Sequence, residues 1–146
     1  ELYGIPTDRR DARKCMLFAR FGIQEFAQVR VRDLSTGMKQ KVSLVISLVQ
    51  DPEIIIFDEP TNGLDILTAK VVTDFLLDLK EQGKTIIIST HIFSLVEKIC
   101  DRVGIIINGR MAACEDLRTL CGDKSLEDRF FEIYEAVNGE DENHDK

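Results

Sequence analysis

A run of four large apolar residues at positions 54–57 leads directly into two carboxylates, Asp58 and Glu59. An uninterrupted apolar run of this length predicts a strand buried on both faces, as in a parallel sheet covered by helices. In open α/β sheets, ligands bind at the carboxyl ends of such strands. Because a charge beside a buried strand is costly unless it is paired or binds a metal, we interpret the two acids as a site rather than a solvated loop.

A second strand is expected over residues 85–88, after a helix over residues 66–82 for which Asp65 is the candidate N-cap. This order predicts a βαβ crossover with two parallel strands. The second strand also runs into polar residues, and the last of them is His91. Because parallel strands end at the same edge of a sheet, we expect His91 to lie beside the two acids. A lone histidine is usually structural, but at this position it is also a site candidate.

The segment 34–39, Leu-Ser-Thr-Gly-Met-Lys, precedes a helix expected over residues 40–50. A serine and a glycine ahead of a helix commonly form an N-cap. The same pair suits an anion site, because the hydroxyl donates, glycine admits a close backbone approach, and the helix N-terminus favours negative charge. The residues alone leave both interpretations open, and the cap is the commoner one.

The other elements follow from periodicity and turn residues. Further helices are expected over residues 7–21, 92–100, 115–120 and 125–137, with a hairpin at Asn108-Gly109 between residues 103–107 and 111–113. In the first helix, Thr7 or Asp8 is the candidate N-cap, Gly22 the candidate C-cap, and the apolar stripe is Ala12, Cys15, Met16 and Ala19. In the helix over residues 66–82, the residues expected to face the sheet are Leu67, Val71, Val72, Phe75, Leu76 and Leu79.

Composition narrows the class of protein. A chain of 146 residues that is 44% hydrophobic and 31% charged is typical of a globular domain. A net charge of −7 gives no support for nucleic acid as a partner. The four cysteines lack the spacing of a zinc site and suit a reducing compartment. No apolar run approaches membrane-spanning length, so a link to a membrane would pass through another polypeptide.

Four segments, in order and spacing, resemble the C-terminal half of an ABC-transporter ATP-binding subunit, also called its nucleotide-binding domain. Residues 34–38 resemble the signature motif, 54–59 the Walker B strand, 62–65 the D-loop and 89–91 the H-loop. The resemblance extends from residue 1 to about residue 137. It implies an α/β fold: a partial P-loop NTPase (ABC ATPase) domain with a helical signature subdomain and a parallel-sheet core lacking its N-terminal half.

The resemblance assigns catalytic roles to three residues. Asp58 would hold a magnesium ion, through water, as Walker B acids do. Glu59 would polarise the attacking water, and His91 would reach the γ-phosphate of ATP. Phosphoryl transfer depends mainly on positioning and charge stabilisation, which side chains of these types supply.

The signature segment would act on the opposite subunit of a dimer. Ser35, Thr36 and Gly37 would bind the ATP held by that subunit, and Asp65 would lie across the dimer interface. Thr36 stands where the family has a glycine, and Met38 where it usually has glutamine. Ser35 and Gly37, the phosphate contacts, are retained, so we expect function to survive. Methionine at this position and the segment 125–130 resemble the exporter-type subgroup.

The resemblance also implies partners and a place in the cell. The complete protein would couple ATP hydrolysis to export, with a second ATP-binding subunit and a transmembrane permease as partners. It would be cytoplasmic, held at the inner face of the cell membrane through the permease. We expect the 146 residues to comprise a signature subdomain (1–50), half of the ATPase core (51–113), a C-terminal helical extension (114–138) and a frayed acidic tail (139–146).

One motif of the family is missing from the sequence. No GxxxxGK[ST] phosphate loop (Walker A) occurs in the 146 residues, so we expect a piece of a longer protein that is inactive alone and self-associates through an unpaired strand edge. One alternative is a non-catalytic truncated interaction module of an ABC complex. Another is a non-transport ABC ATPase, although only 33 residues precede Leu34 and no sustained heptad is present for a coiled-coil insertion.

Overall fold

The computed structural model describes residues 6–141, with side chains described through residue 139, as two compact units. The first unit ends at Thr90 and contains α1 (Thr7–Phe21), 3-10 turns at Ile23–Phe26 and Val31–Asp33, α2 (Thr36–Leu48), β1 (Ile54–Asp58), α3 (Ile66–Glu81) and β2 (Thr85–Ser89). The second begins at His91 and contains α4 (Phe93–Ile99), β3 (Arg102–Ile107), β4 (Arg110–Asp116), α5 (Leu117–Cys121) and α6 (Leu126–Asp141). The domain boundaries expected at residues 50, 113 and 138 stay a prediction.

The predicted βαβ crossover is confirmed. β1 and β2 pair in parallel, with Ile54 opposite Thr85 and Asp58 opposite Ser89. Asp65 caps α3 as predicted, because its carboxylate accepts the backbone N–H of Thr68 at 3.0 Å. Most of the predicted inner face of α3 is buried or partly buried, but Leu67 is 77% exposed, so its assignment to that face was wrong.

The prediction that β1 is buried on both faces is wrong. Ile55 and Phe57 are buried, whereas Ile54 and Ile56 are 63% and 72% exposed. Among the described residues, β1 pairs only with β2, and the alternating burial shows that one face of this two-stranded sheet is covered. A strand covered on one face buries every second side chain.

Helix α1 has the predicted bounds but a different inner face. Its N-cap is Pro6 rather than Thr7 or Asp8, and its buried residues are Leu17 and Phe21. The predicted stripe lies on the exposed side: Ala12, Cys15, Met16 and Ala19. Gly22 ends the helix as predicted, in the left-handed conformation (φ +64°) that glycine adopts at low cost.

Charged side chains join α1 to the sheet. Arg13 donates to the carbonyl of Leu48 at 2.9 Å and pairs with Asp51 at 2.8 Å. Lys84, just before β2, pairs with Asp51 at 3.1 Å and with Glu53 at 2.8 Å. The hydrogen bond to Glu53 is the main reason that the pKa of Lys84 rises above its ordinary 10.5; desolvation opposes the rise and Asp51 adds to it.

The second unit is built on the predicted hairpin. Asn108 and Gly109 have φ of +51° and +74°, the left-handed values that a tight two-residue turn requires. The inner side of the hairpin packs on the last two helices through a core made of Ile105, Ile107, Leu120 and Leu126.

Helix α6 starts as predicted and runs further. Its first turn is capped by Ser125, whose hydroxyl accepts the N–H of Asp128 at 3.0 Å. It extends to Asp141, so residues 139–141 of the predicted frayed tail are helical, and residues 142–146 lie outside the described part of the chain. Within residues 6–141, no helix is both long enough and apolar enough to span a bilayer.

Candidate functional site

The first acid of the site, Asp58, is the last residue of β1. It faces Ser89 across the parallel ladder, and the Ser89 hydroxyl donates a hydrogen bond to Oδ1 of Asp58. Both side chains are exposed on the open face of the sheet. Asp58 is therefore accessible at a strand end, as the sequence predicted.

The second acid, Glu59, leaves the strand in a strained conformation. Its φ is +46°, a left-handed value that residues with a Cβ rarely adopt. Its N–H donates to the carbonyl of Ser89 at 2.9 Å, and its carbonyl accepts the N–H of Asn62 at 3.1 Å. Its carboxylate oxygen Oε2 accepts the hydroxyl of Thr90 at 3.1 Å. Backbone and side chain of Glu59 are thus both held by the end of β2 and the following turn.

Two successive hydroxyls on β2 and its extension therefore hold two successive carboxylates at the end of β1. Sequence reasoning identified the acids but assigned no role to Ser89 or Thr90. The signal was present, because parallel pairing of two strands with equivalent ends places residues 58 and 89 opposite each other. Continuing the same register by one residue places Thr90 beside Glu59, and the prediction did not take this step.

The acids offer a carboxylate ligand for a divalent cation but not a complete set of metal ligands. Among the described residues there is no group of three or more His, Cys, Asp or Glu side chains that could hold a metal ion. Magnesium in nucleotide sites is commonly bound by one or two carboxylates, with waters and phosphate oxygens filling the other positions. The exposed carboxylate of Asp58 fits that requirement.

His91, the other predicted catalytic residue, is the first residue of the second unit, and its side chain is exposed. Its approach to the acids, inferred from the parallel strands, remains a prediction. Ser89, Thr90 and His91 follow one another in the sequence, so the chain passes from the carboxylate-holding hydroxyls directly to the histidine.

The helix cap, one of the two interpretations that the residues alone left open, is present at the start of α2. The Ser35 hydroxyl oxygen accepts the N–H of Met38 at 3.2 Å, and the helix begins at Thr36 rather than at residue 40. The segment 36–39 is therefore the first helical turn, in which several backbone N–H groups have no intrahelical acceptor. Ser35 and Thr36 are exposed, so this turn is accessible.

The turn after the acids lies against the start of α2. A Cβ placed on Gly37 would lie 3.9 Å from the carbonyl oxygen of Gly63 and 4.0 Å from Leu64 Cδ2. A Cβ on Gly63 would lie 4.0 Å from Thr36 Cγ2. The fold thus brings two of the predicted motifs together, an adjacency that the sequence did not indicate.

Asp65 closes that turn. Its carboxylate accepts from the hydroxyl of Thr68 at 2.7 Å and from the Thr68 N–H. These hydrogen bonds, the side-chain one first, hold the pKa of Asp65 below its ordinary 3.8. The cap does not bear on the predicted position of Asp65 in a dimer interface, which stays a prediction.

Comparison with known proteins supplies a family. Residues 7–62 match the family model for the ABC transporter. The ABC transporter ATP-binding protein NatA of Bacillus subtilis is 39% identical over 127 residues, which are 87% of this chain and 52% of that protein. A fluoroquinolones export ATP-binding protein of Mycobacterium tuberculosis is 37% identical over 99 residues, 68% of this chain and 33% of the relative.

Solved structures agree. A structure of the ATP binding subunit of an ABC transporter superposes with a TM-score of 0.84 at 30% identity, over 90% of this chain and 57% of that one. A dimeric ATP-binding cassette in a post-hydrolysis state, bound to ADP and Pi, gives a TM-score of 0.68 at 26% identity, over 79% and 50% of the two chains. The chain thus spans about half the length of the first relative and of these two structures.

Proposed function

Because the chain belongs to the ABC transporter family of ATP-binding proteins, we propose that it supplies the C-terminal part of a subunit that couples ATP hydrolysis to export across a membrane. The observation that carries the proposal is the pair of carboxylates at the end of β1, each held by a hydroxyl from the end of β2. Several relatives are named as export proteins, among them a Nod factor export ATP-binding protein of Neorhizobium galegae that is 45% identical over 87 residues.

The three proposed reaction residues have distinct roles. Asp58 would hold a magnesium ion through water, and Glu59 polarises the water that attacks the γ-phosphate. His91 donates to the γ-phosphate and helps to orient that water. Magnesium, when bound, neutralises charge on the phosphates. The side chains of Asp58 and His91 are exposed, and that of Glu59 is partly buried.

We assign Ser35, Thr36 and Gly37 to the ATP of an opposite subunit in a dimer, and Asp65 to the interface between subunits. The accessible first turn of α2 supports this assignment, since free N–H groups and the helix dipole attract a phosphate. The close approach of Gly63 to Gly37 supports it as well, because it brings the two assigned segments together. A transmembrane permease completes the proposed assembly and holds it at the inner face of the membrane.

We further propose that the 146 residues alone neither bind ATP tightly nor hydrolyse it. A phosphate loop cradles the triphosphate with backbone N–H groups and a lysine, and its GxxxxGK[ST] pattern does not occur in this sequence. Completion by a segment that carries such a loop is then a condition for activity.

The test is a subunit in which the chain follows the N-terminal half of the Bacillus subtilis relative. Glu59→Gln keeps the shape of the side chain and removes its basicity, so we expect steady-state ATP hydrolysis to fall by at least about 100-fold. The matched control is Glu81→Gln at the exposed end of α3, which should hydrolyse ATP at the unmodified rate. Equal rates for Glu59→Gln and the control would contradict the proposal.

A further inference from the structure

The hydroxyl of Thr90 is placed where it governs the orientation of Glu59. Thr90 directly follows β2, and its Oγ1 donates to Oε2 of Glu59 at 3.1 Å. The adjacent Ser89 is bonded to Glu59 through main-chain atoms and to Asp58 through its side chain. The parallel register fixes these pairings, because Asp58 and Ser89 are the last paired residues of the two strands.

Resting on the function proposed above, we infer that Thr90 is a positioning residue for ATP hydrolysis. Its hydrogen bond selects one orientation of the Glu59 carboxylate and so aims the second carboxylate oxygen at the attacking water. A glutamate side chain has three rotatable bonds, and a base is effective only when it lies within hydrogen-bond reach of the proton it takes. Thr90 itself touches neither substrate nor water in this mechanism.

The backbone conformation of Glu59 gives such a restraint a purpose. Its left-handed φ aims the side chain away from the direction that it would have as a continuation of β1. The main-chain bonds to Ser89 and Asn62 fix the backbone, but they leave the side-chain torsions undetermined. The contact from Thr90 acts on the carboxylate itself.

The experiment compares Thr90→Val and Thr90→Ser in the completed subunit described above. Valine keeps the branched shape and removes the hydroxyl, whereas serine keeps the hydroxyl. We expect Thr90→Val to lower kcat by about tenfold with the KM for ATP unchanged, the order expected for losing one hydrogen bond to a charged group. Thr90→Ser should retain kcat within about threefold. Thr85→Val, at the other end of β2, is the control and should match the unmodified subunit.

A double variant separates positioning from folding. If Thr90 acts only through Glu59, Thr90→Val should have no further effect on the residual rate of Glu59→Gln. A selectively labelled Glu59 carboxyl carbon should also change its NMR chemical shift in Thr90→Val and not in Thr85→Val.

The inference is overturned if Thr90→Val keeps kcat within twofold, or if Thr90→Ser is as impaired as Thr90→Val, since the loss would then come from packing. A normal rate for Thr90→Val together with an inactive Glu59→Gln would refute only the positioning role of Thr90, and the proposed function would still hold. A normal rate for Glu59→Gln overturns both.

Discussion

At the scale of single residues, Glu59 is where backbone strain and proposed chemistry coincide. A residue with a Cβ in the left-handed region costs roughly 1–2 kcal/mol relative to a right-handed one. Such strain persists only where surrounding contacts fix it, and it clusters at functional sites. Here the contacts are the main-chain hydrogen bonds to Ser89 and Asn62. The identity of Glu59 is therefore better explained by chemistry than by stability.

The strained backbone at Glu59 predicts how glycine and alanine at this position affect the free energy of unfolding. Glycine tolerates φ of +46°, whereas alanine carries the same penalty as glutamate, so Glu59→Gly should be more stable than Glu59→Ala by about 1 kcal/mol. The two variants remove the same carboxylate, and their difference isolates the backbone term. Urea unfolding of the chain followed by circular dichroism measures it. An alanine variant as stable as the glycine variant would show that the site is unstrained.

The ion pairs of Lys84 predict that its contribution to stability falls at alkaline pH. Its pKa is raised in the folded chain, chiefly by Glu53 and then by Asp51, so the stabilisation is complete below the ordinary pKa of 10.5. It is lost as pH rises through the higher folded-state pKa. The difference in stability between the unmodified chain and Lys84→Met should shrink above about pH 10.5. A pH-independent difference for Lys84→Met would contradict the assignment.

At the scale of elements, the helices and the crossover could be predicted because their signals are local. Apolar periodicity located α3, and Asn108-Gly109 located the hairpin. The start of α2 was placed too late, because its first turn has no apolar periodicity and only the Ser35 cap marks it. The inner face of α1 was misassigned because two stripes compete on this helix. The predicted stripe has one large apolar residue, Met16, whereas Leu17 and Phe21 on the buried side together bury more apolar surface.

The Ser35 cap gives the prediction at this scale. Ser35→Ala removes the acceptor for the Met38 N–H and should lower the free energy of unfolding by about 1 kcal/mol. Ser43→Ala, in the exposed middle of the same helix, is the matched control and should be neutral or slightly stabilising. Thermal unfolding measures both variants. Equal midpoints would mean that the Ser35 hydroxyl contributes no cap.

At the scale of the whole molecule, the sequence indicated a family and the acids of the candidate site, but it did not predict which faces of the sheet are buried. A continuous apolar run such as 54–57 is typical of a strand that is covered on both faces in a complete domain. This chain spans about half the length of its first relative, and in it Ile54, Ile56 and Ile87 are more than half exposed. The expected approach of His91 to the two acids stays a prediction, because it depends on how the two units are arranged.

The open sheet face carries a prediction about assembly. Within the described residues both strands of the β1–β2 sheet are edges, and Ile54, Ile56 and Ile87 are more than half exposed. Unpaired strand edges and exposed apolar faces both promote association with another chain. We expect the 146-residue chain to self-associate, and Ile56→Lys on the open face to reduce this more than Ile66→Lys at the start of α3. Light scattering over a range of concentrations measures the mass. A strictly monomeric chain would contradict the prediction.

The central claim is that Asp58 and Glu59 are the hydrolytic part of an ATP site that another segment completes. The most direct measurement is steady-state release of phosphate from Mg-ATP by the chain alone and by the chain joined to the N-terminal half of the Bacillus subtilis relative. We expect no turnover by the chain alone, and turnover by the joined protein that Glu59→Gln abolishes. Hydrolysis by the 146 residues alone that disappears in Glu59→Gln would contradict the claim that the site needs completion.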